Sequence, residues 1–218
     1  MSTQDDELDP PTTRISAGQY DNSGFSADGG YGQTTSLAPE IDDTDDASED
    51  RNRWHGGLDF GLLILRLLLG GTMIAHGLQK FGLFDGPGIG GFADALSNFG
   101  YTSQTTLLSW LTAIAEVGGG ALLVLGLFTP LGAAAILGVT ANIIYAKYVA
   151  GGRFFTDDGS GFEYELLLAG TAFALLFTGS GRAAIDVHTP WRRKPLPYAL
   201  LGLLLAAAAS VVVILLFR

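Results

Sequence analysis

Residues 58–82 read LDFGLLILRLLLGGTMIAHGLQKFG. A helix that spans a bilayer needs about 20 mostly apolar residues, and this stretch supplies them while holding Asp59, Arg66, His76 and Lys80. At about 100° per residue the four ionisable groups fall within one stripe. Charged groups inside a membrane face the interior of a bundle or a polar cavity. The stripe is therefore the inward face of a transmembrane helix.

Four more stretches qualify by length and apolarity, at about 105–127, 131–150, 162–179 and 196–217. Phe128-Thr129-Pro130 between the second and third is short enough only for a tight helical hairpin. Gly151-Gly152-Arg153 opens the polar loop between the third and fourth, and Pro190, Pro195 and Pro197 punctuate the approach to the fifth. The fold class expected is all-α: a polytopic membrane protein with a four-helix transmembrane domain over 58–186. A basic linker and an extra C-terminal transmembrane helix follow over 187–218. In the loop 83–106, Phe92, Leu96 and Phe99 at helical spacing predict a short helix in the membrane interface. Gly86, Gly88 and Gly91 fit G-x-G-x-x-G, but a span precedes them and no strand does, so they read as a turn.

Residues 1–57 differ in kind. They hold thirteen Asp and Glu against three Arg, which accounts for the whole formal charge of −10; the nine acids and nine bases beyond them cancel. Such a stretch buries too little apolar surface to offset its ordering entropy. It reads as a disordered acidic cytoplasmic tail, repelled by an anionic leaflet and suited to a basic partner surface. No nucleic-acid partner is expected.

The chain has no cysteine, which removes disulfide exchange and Fe–S ligation by its own residues, and with His55, His76 and His188 alone no metal site is expected. Basic residues orient the bundle. Arg51, Arg53, Arg182, Arg192, Arg193 and Lys194 fall on one side, and Lys80, Lys147, Arg153 and Arg218 on the other. The excess places the N-terminus in the cytoplasm and the C-terminus outside.

Glu116 is the one charge of the second span and adjoins Gly118-Gly119-Gly120. An isolated carboxylate at that depth is costly. With the centres of the two spans level, Arg66 lies ~6 Å inward and His76 ~9 Å outward of the midplane. Arg66 is the expected partner, because guanidinium stays charged and grips a carboxylate with two hydrogen bonds. The outer half gathers His76, Asn142, Tyr145 and Glu165 as candidates for a ligand or proton site, with Glu116 below. Lys80, Lys147, Arg182 and Asp186 read as helix-end anchors. For His76 two readings stand: a satisfied bundle histidine, or a ligand or proton contact.

The run LILRLLLGGTMIAHGLQKFG resembles the first helix of the DoxX family of small bacterial membrane proteins. AEVGGGALLVLGLFTPLGA is similar to that family's second helix and hairpin, and FEYELLLAG with FTGSGRAAID to its fourth helix and closing loop. The resemblance covers about 60–186. It implies a four-helix bundle in the bacterial cytoplasmic membrane, associated with oxidoreductase or respiratory assemblies. The positions it carries over are Arg66, His76, Lys80, Glu116, Glu165, Arg182 and Asp186. The acidic tail and the helix beyond Pro197 depart from the family pattern and read as partner-docking additions.

The first function expected is an accessory, non-catalytic subunit in contact with the bilayer and with other membrane subunits, since any redox cofactor would come from a partner. The alternative is a quinone-binding subunit whose headgroup meets His76, Asn142, Tyr145 and Glu165. Proton or solute transport stands third, lacking an inverted repeat or a broken helix.

Overall fold

The computed structural model describes residues 56–156, 161–186 and 188–218, without the side chains of Arg192 and Arg193. The acidic tail and His55 lie outside the described residues, apart from Gly56 and Gly57, which open the first helix. All regular structure among the described residues is helical. The helices are α1 (Gly56–Lys80), α2 (Gly88–Asn98), α3 (Thr105–Leu125), α4 (Thr129–Val149), α5 (Glu163–Thr178), the single turn α6 (Pro190–Arg193) and α7 (Pro195–Phe217).

Asp59 in the first turn of α1 and Lys80 in its last match the signs favoured at the two ends of a helix dipole. Four helices stop in the same way. Gly82, Gly100, Gly126 and Gly151 have φ of 87°, 90°, 63° and 87°, the left-handed region that glycine enters at no steric cost. At α3 the Leu127 N–H donates to Leu122 O and the Gly126 N–H to Leu123 O, which is the Schellman closure. Pro130 then sits in the first turn of α4, where its missing N–H costs nothing. The expected hairpin follows.

Backbone contact at glycine sets the register. A Cβ on Gly70 of α1 would lie 2.7 Å from Gly120 O of α3, and one on Gly77 would meet Val117 Cγ2 at 2.5 Å and Ala113 O at 3.0 Å. One residue along from Gly120, Gly119 faces the other way and packs on α4, where a Cβ on Gly132 would lie 2.9 Å from Gly119 O. Consecutive glycines thus serve two interfaces roughly 100° apart on one helix. The main core joins Leu62, Leu69 and Met73 of α1 to Leu123, Ile136, Leu175 and Leu176, with Ala199 and Ala206 of α7.

Helices α1, α3, α4 and α7 are long and apolar enough to cross a membrane. Large apolar side chains such as Leu68, Leu204 and Leu215 point outward, a surface suited to lipid and not to water. The fourth expected span is shorter than its sequence suggests. Helix α5 has 16 residues, or ~24 Å against a hydrocarbon core of ~30 Å. With the loop after it, α5 reaches from Tyr164 beside His76 to the Ser180 carbonyl at Arg66, alongside the central part of α1.

Helix α7 is packed into the body of the bundle. It packs on α4 and α5, with Gly202 against Leu176, Ala134 and Pro130. Its final carbonyls are taken by the loop before α3. The Thr102 N–H donates to Phe217 O at 2.9 Å and Ser103 Oγ to Leu216 O at 3.1 Å. Helix α2 forms as expected, with Phe92, Leu96 and Phe99 turned toward α3, α4 and α7.

Candidate functional site

Glu116 is 1% exposed and Lys80 8%. Lys80 Nζ donates to Glu116 Oε1 at 2.9 Å and to Oε2 at 2.7 Å. This corrects two expectations together: Glu116 does not pair with Arg66, and Lys80 is no headgroup anchor. The cause is register. With Gly70 on Gly120 and Gly77 on Val117, the level of Glu116 on α1 is close to His76. Arg66 lies ten residues further along, ~15 Å away along the axis, whereas Lys80 is one turn off and reaches back. The Phe92 ring of α2 sits 4.6 Å from Lys80 Nζ, a cation–π contact that closes the pair from above.

Arg66 answers a different need. The last carbonyls of an α-helix have no intrahelical donor and carry its negative dipole end. At α3, Leu122 O and Leu123 O take the turn's own N–H groups, while Arg66 Nε donates to Leu123 O at 2.9 Å and Nη2 to Val124 O at 3.3 Å. Leu125 O accepts from the Ile185 N–H and Gly126 O from the Asp186 N–H. Arg66 Nη1 donates to Ser180 O and to Ala183 O, the latter at 2.8 Å. One buried guanidinium therefore clamps the end of α3 to the loop after α5. Its planar fork of five donors suits this task in a way lysine cannot match.

Asp186, expected as an anchor, is 1% exposed and accepts from Trp191 Nε1 at 2.6 Å. It clasps α6 to this loop. Arg182 is exposed; its N–H donates to Asp59 Oδ1 at 2.6 Å and its Nε lies 3.9 Å from Asp59 Oδ2. Lys147, also expected as an anchor, is half-buried, 2.7 Å from Glu165 Oε1, and donates to Gly161 O at 2.8 Å.

The ligand candidates do not form one pocket. His76 Nε2 lies 3.4 Å from Tyr164 Oη. Tyr145 is on the outside of α4, its ring 5.0 Å from the Arg218 guanidinium. Asn142 Nδ2 donates to Gly138 O within its own helix, and its Oδ1 is buried with no partner among the described residues. Glu165 Oε2 is likewise buried and without a partner among the described residues. A groove of about 480 Å³ between α2, α3, α4 and α7 is lined by Asn142 and Lys147, but not by His76, Glu116, Tyr145 or Glu165. At its outer end stands Tyr101, outside the spans, whose phenol burial pushes up; the nearby Arg218 charge opposes that shift and Tyr145 adds to it.

Sequence reasoning placed Phe92 on the interfacial helix but missed its contact with Lys80, and it missed Tyr164, Trp191 and the carbonyls held by Arg66. For the Lys80–Glu116 pair a signal was present, since Lys80 lies on the same stripe as Arg66. For the carbonyls there was none, because every residue has one.

The DoxX family model matches residues 61–149, from the second turn of α1 to the end of α4. No curated protein and no solved structure matches the chain.

Proposed function

From the premise that this chain is a DoxX-family membrane protein over residues 61–149, we propose that it is an accessory, non-catalytic subunit of a membrane oxidoreductase or respiratory assembly. The observation that supports this is the use made of the buried charges. Glu116 has both oxygens on Lys80 and Arg66 has its donors on backbone carbonyls, so these groups hold helices together and leave no charge free for a reaction. Without cysteine, thiol redox steps and Fe–S ligation by the chain fall to a partner. The quinone reading has less support, because its four nominated residues sit in separate contacts.

In this reading the chain lies in the bacterial cytoplasmic membrane with Gly56 at the cytoplasmic face and Phe217 at the outer one. The Arg66 end carries Arg182 and the basic run 192–194, as the positive-inside rule favours. The acidic tail is then free to meet a basic cytoplasmic surface. Affinity purification in mild detergent tests the assignment: a redox complex is expected in stoichiometric yield, with its own absorption spectrum. Recovery of the chain alone from several detergents would overturn it.

A further inference from the structure

The groove between α2, α3, α4 and α7 has a shape and polarity that the accessory role does not use. Along α4 it runs from Leu131, in the first turn, to Lys147, in the last. That is ~24 Å at 1.5 Å per residue, most of the ~30 Å hydrocarbon thickness. Its floor is made of small residues where a bundle normally carries leucine: Ala134, Ala135 and Gly138 on α4, Ala206 and Ala209 on α7. Ser210 turns its hydroxyl onto Gly138 O, so the wall there offers little polarity.

The outer end differs. Tyr101 and Asn142 line it, and the Arg218 guanidinium lies over the Tyr101 ring at 5.8 Å and the Tyr145 ring at 5.0 Å. Two buried polar atoms in this region have no partner among the described residues: the donor Arg218 Nη1 and the acceptor Asn142 Oδ1. A buried donor left unpaired is unfavourable, more so when it is charged. Arg218 does not itself line the groove, but it stands beside Tyr101, which does, and brings a positive charge to the outer mouth.

We infer that the groove binds one anionic membrane lipid, with a hydrocarbon chain along Ala134, Gly138 and Ala209 and its acidic headgroup on Arg218. The length matches a chain that reaches from one interface toward the other, and the charge matches the head. An acidic headgroup at that mouth meets the Arg218 guanidinium as its charge-assisted hydrogen-bond partner. Phe92 lines the groove and also covers Lys80, so the bound chain lies one ring away from the Lys80–Glu116 pair. The lipid would join α7 to the DoxX domain as a structural component.

The test uses the full chain, stripped of lipid in detergent and offered phosphatidylglycerol or phosphatidylcholine with identical acyl chains. Native mass spectrometry is expected to show one phosphatidylglycerol retained, with phosphatidylcholine held at least about tenfold more weakly. Ala209→Phe, at an outward-facing groove position, should abolish retention. Arg218→Gln should keep the fold and remove the preference between the two lipids, which decides the matter even if Ala209→Phe fails to fold. Equal retention of both lipids by the unaltered chain, or undiminished retention by a folded Ala209→Phe variant, would overturn the inference. So would a stoichiometric quinone in extracts of the chain as first purified, displaced by Ala209→Phe.

Discussion

Glu116 rests both oxygens on one ammonium in a site from which water is excluded, and desolvation governs what each substitution does. Removing one member of a buried pair leaves an uncompensated charge and costs about 3–5 kcal/mol, whereas replacing both with apolar groups is often close to neutral. Lys80→Met should therefore lower stability far more than Lys80→Met combined with Glu116→Leu, read as thermal midpoints in detergent. Arg66→Met and Glu116→Leu should add within about 0.5 kcal/mol, since they share no partner. A coupling above 1.5 kcal/mol between Arg66 and Glu116 would contradict the pairing. At this scale the sequence revealed which residues were buried and charged, but not who met whom. Aligning the centres of two spans assumes that the membrane sets their offset, and here the glycine contacts do.

Those contacts make adjacent glycines unequal, which separates packing from helix propensity. A methyl on Gly70 meets the backbone of α3, while one on Gly71 meets nothing within 4 Å. Gly70→Ala is expected to destabilise by about 1–3 kcal/mol through overpacking. Gly71→Ala should be neutral or stabilising by up to about 1 kcal/mol, as alanine for glycine in a helix. Equal effects in the same unfolding assay would show that the α1–α3 contact does not set the register. The elements themselves were largely legible: apolar length located all five long helices, and Gly151 marked the end of α4, whereas the like role of Gly82, Gly100 and Gly126 emerged from the structure. The brevity of α5 was hidden because Phe162 and Gly179 flank it with residues as apolar or small as its own. The capping of α7 by Thr102 and Ser103, through backbone N–H groups and hydroxyls alike, was also hidden, since nothing in the sequence ties a loop donor to a helix end more than a hundred residues on.

Across the whole molecule, the short α5 bears directly on topology. If α5 crosses, the α2 end and the α6 turn lie on opposite faces; if it does not, they share one. The absence of cysteine makes single-cysteine labelling decisive, and Asn98 and His188 are both exposed. A membrane-impermeant maleimide should label Asn98→Cys in intact cells and His188→Cys only after permeabilisation. The reverse pattern would invert the proposed orientation, and labelling of both from outside would remove α5 as a crossing.

The bonds from Thr102 and Ser103 to the end of α7 close a loop of more than a hundred residues. During synthesis at about 5–20 residues per second, the donors wait on the order of ten seconds for their acceptors. The wall that α7 supplies is thus made after those of α2, α3 and α4. An occupant that rests on Ala209 and Arg218 can settle only once α7 is in place, so the order of synthesis makes its binding a late step of assembly.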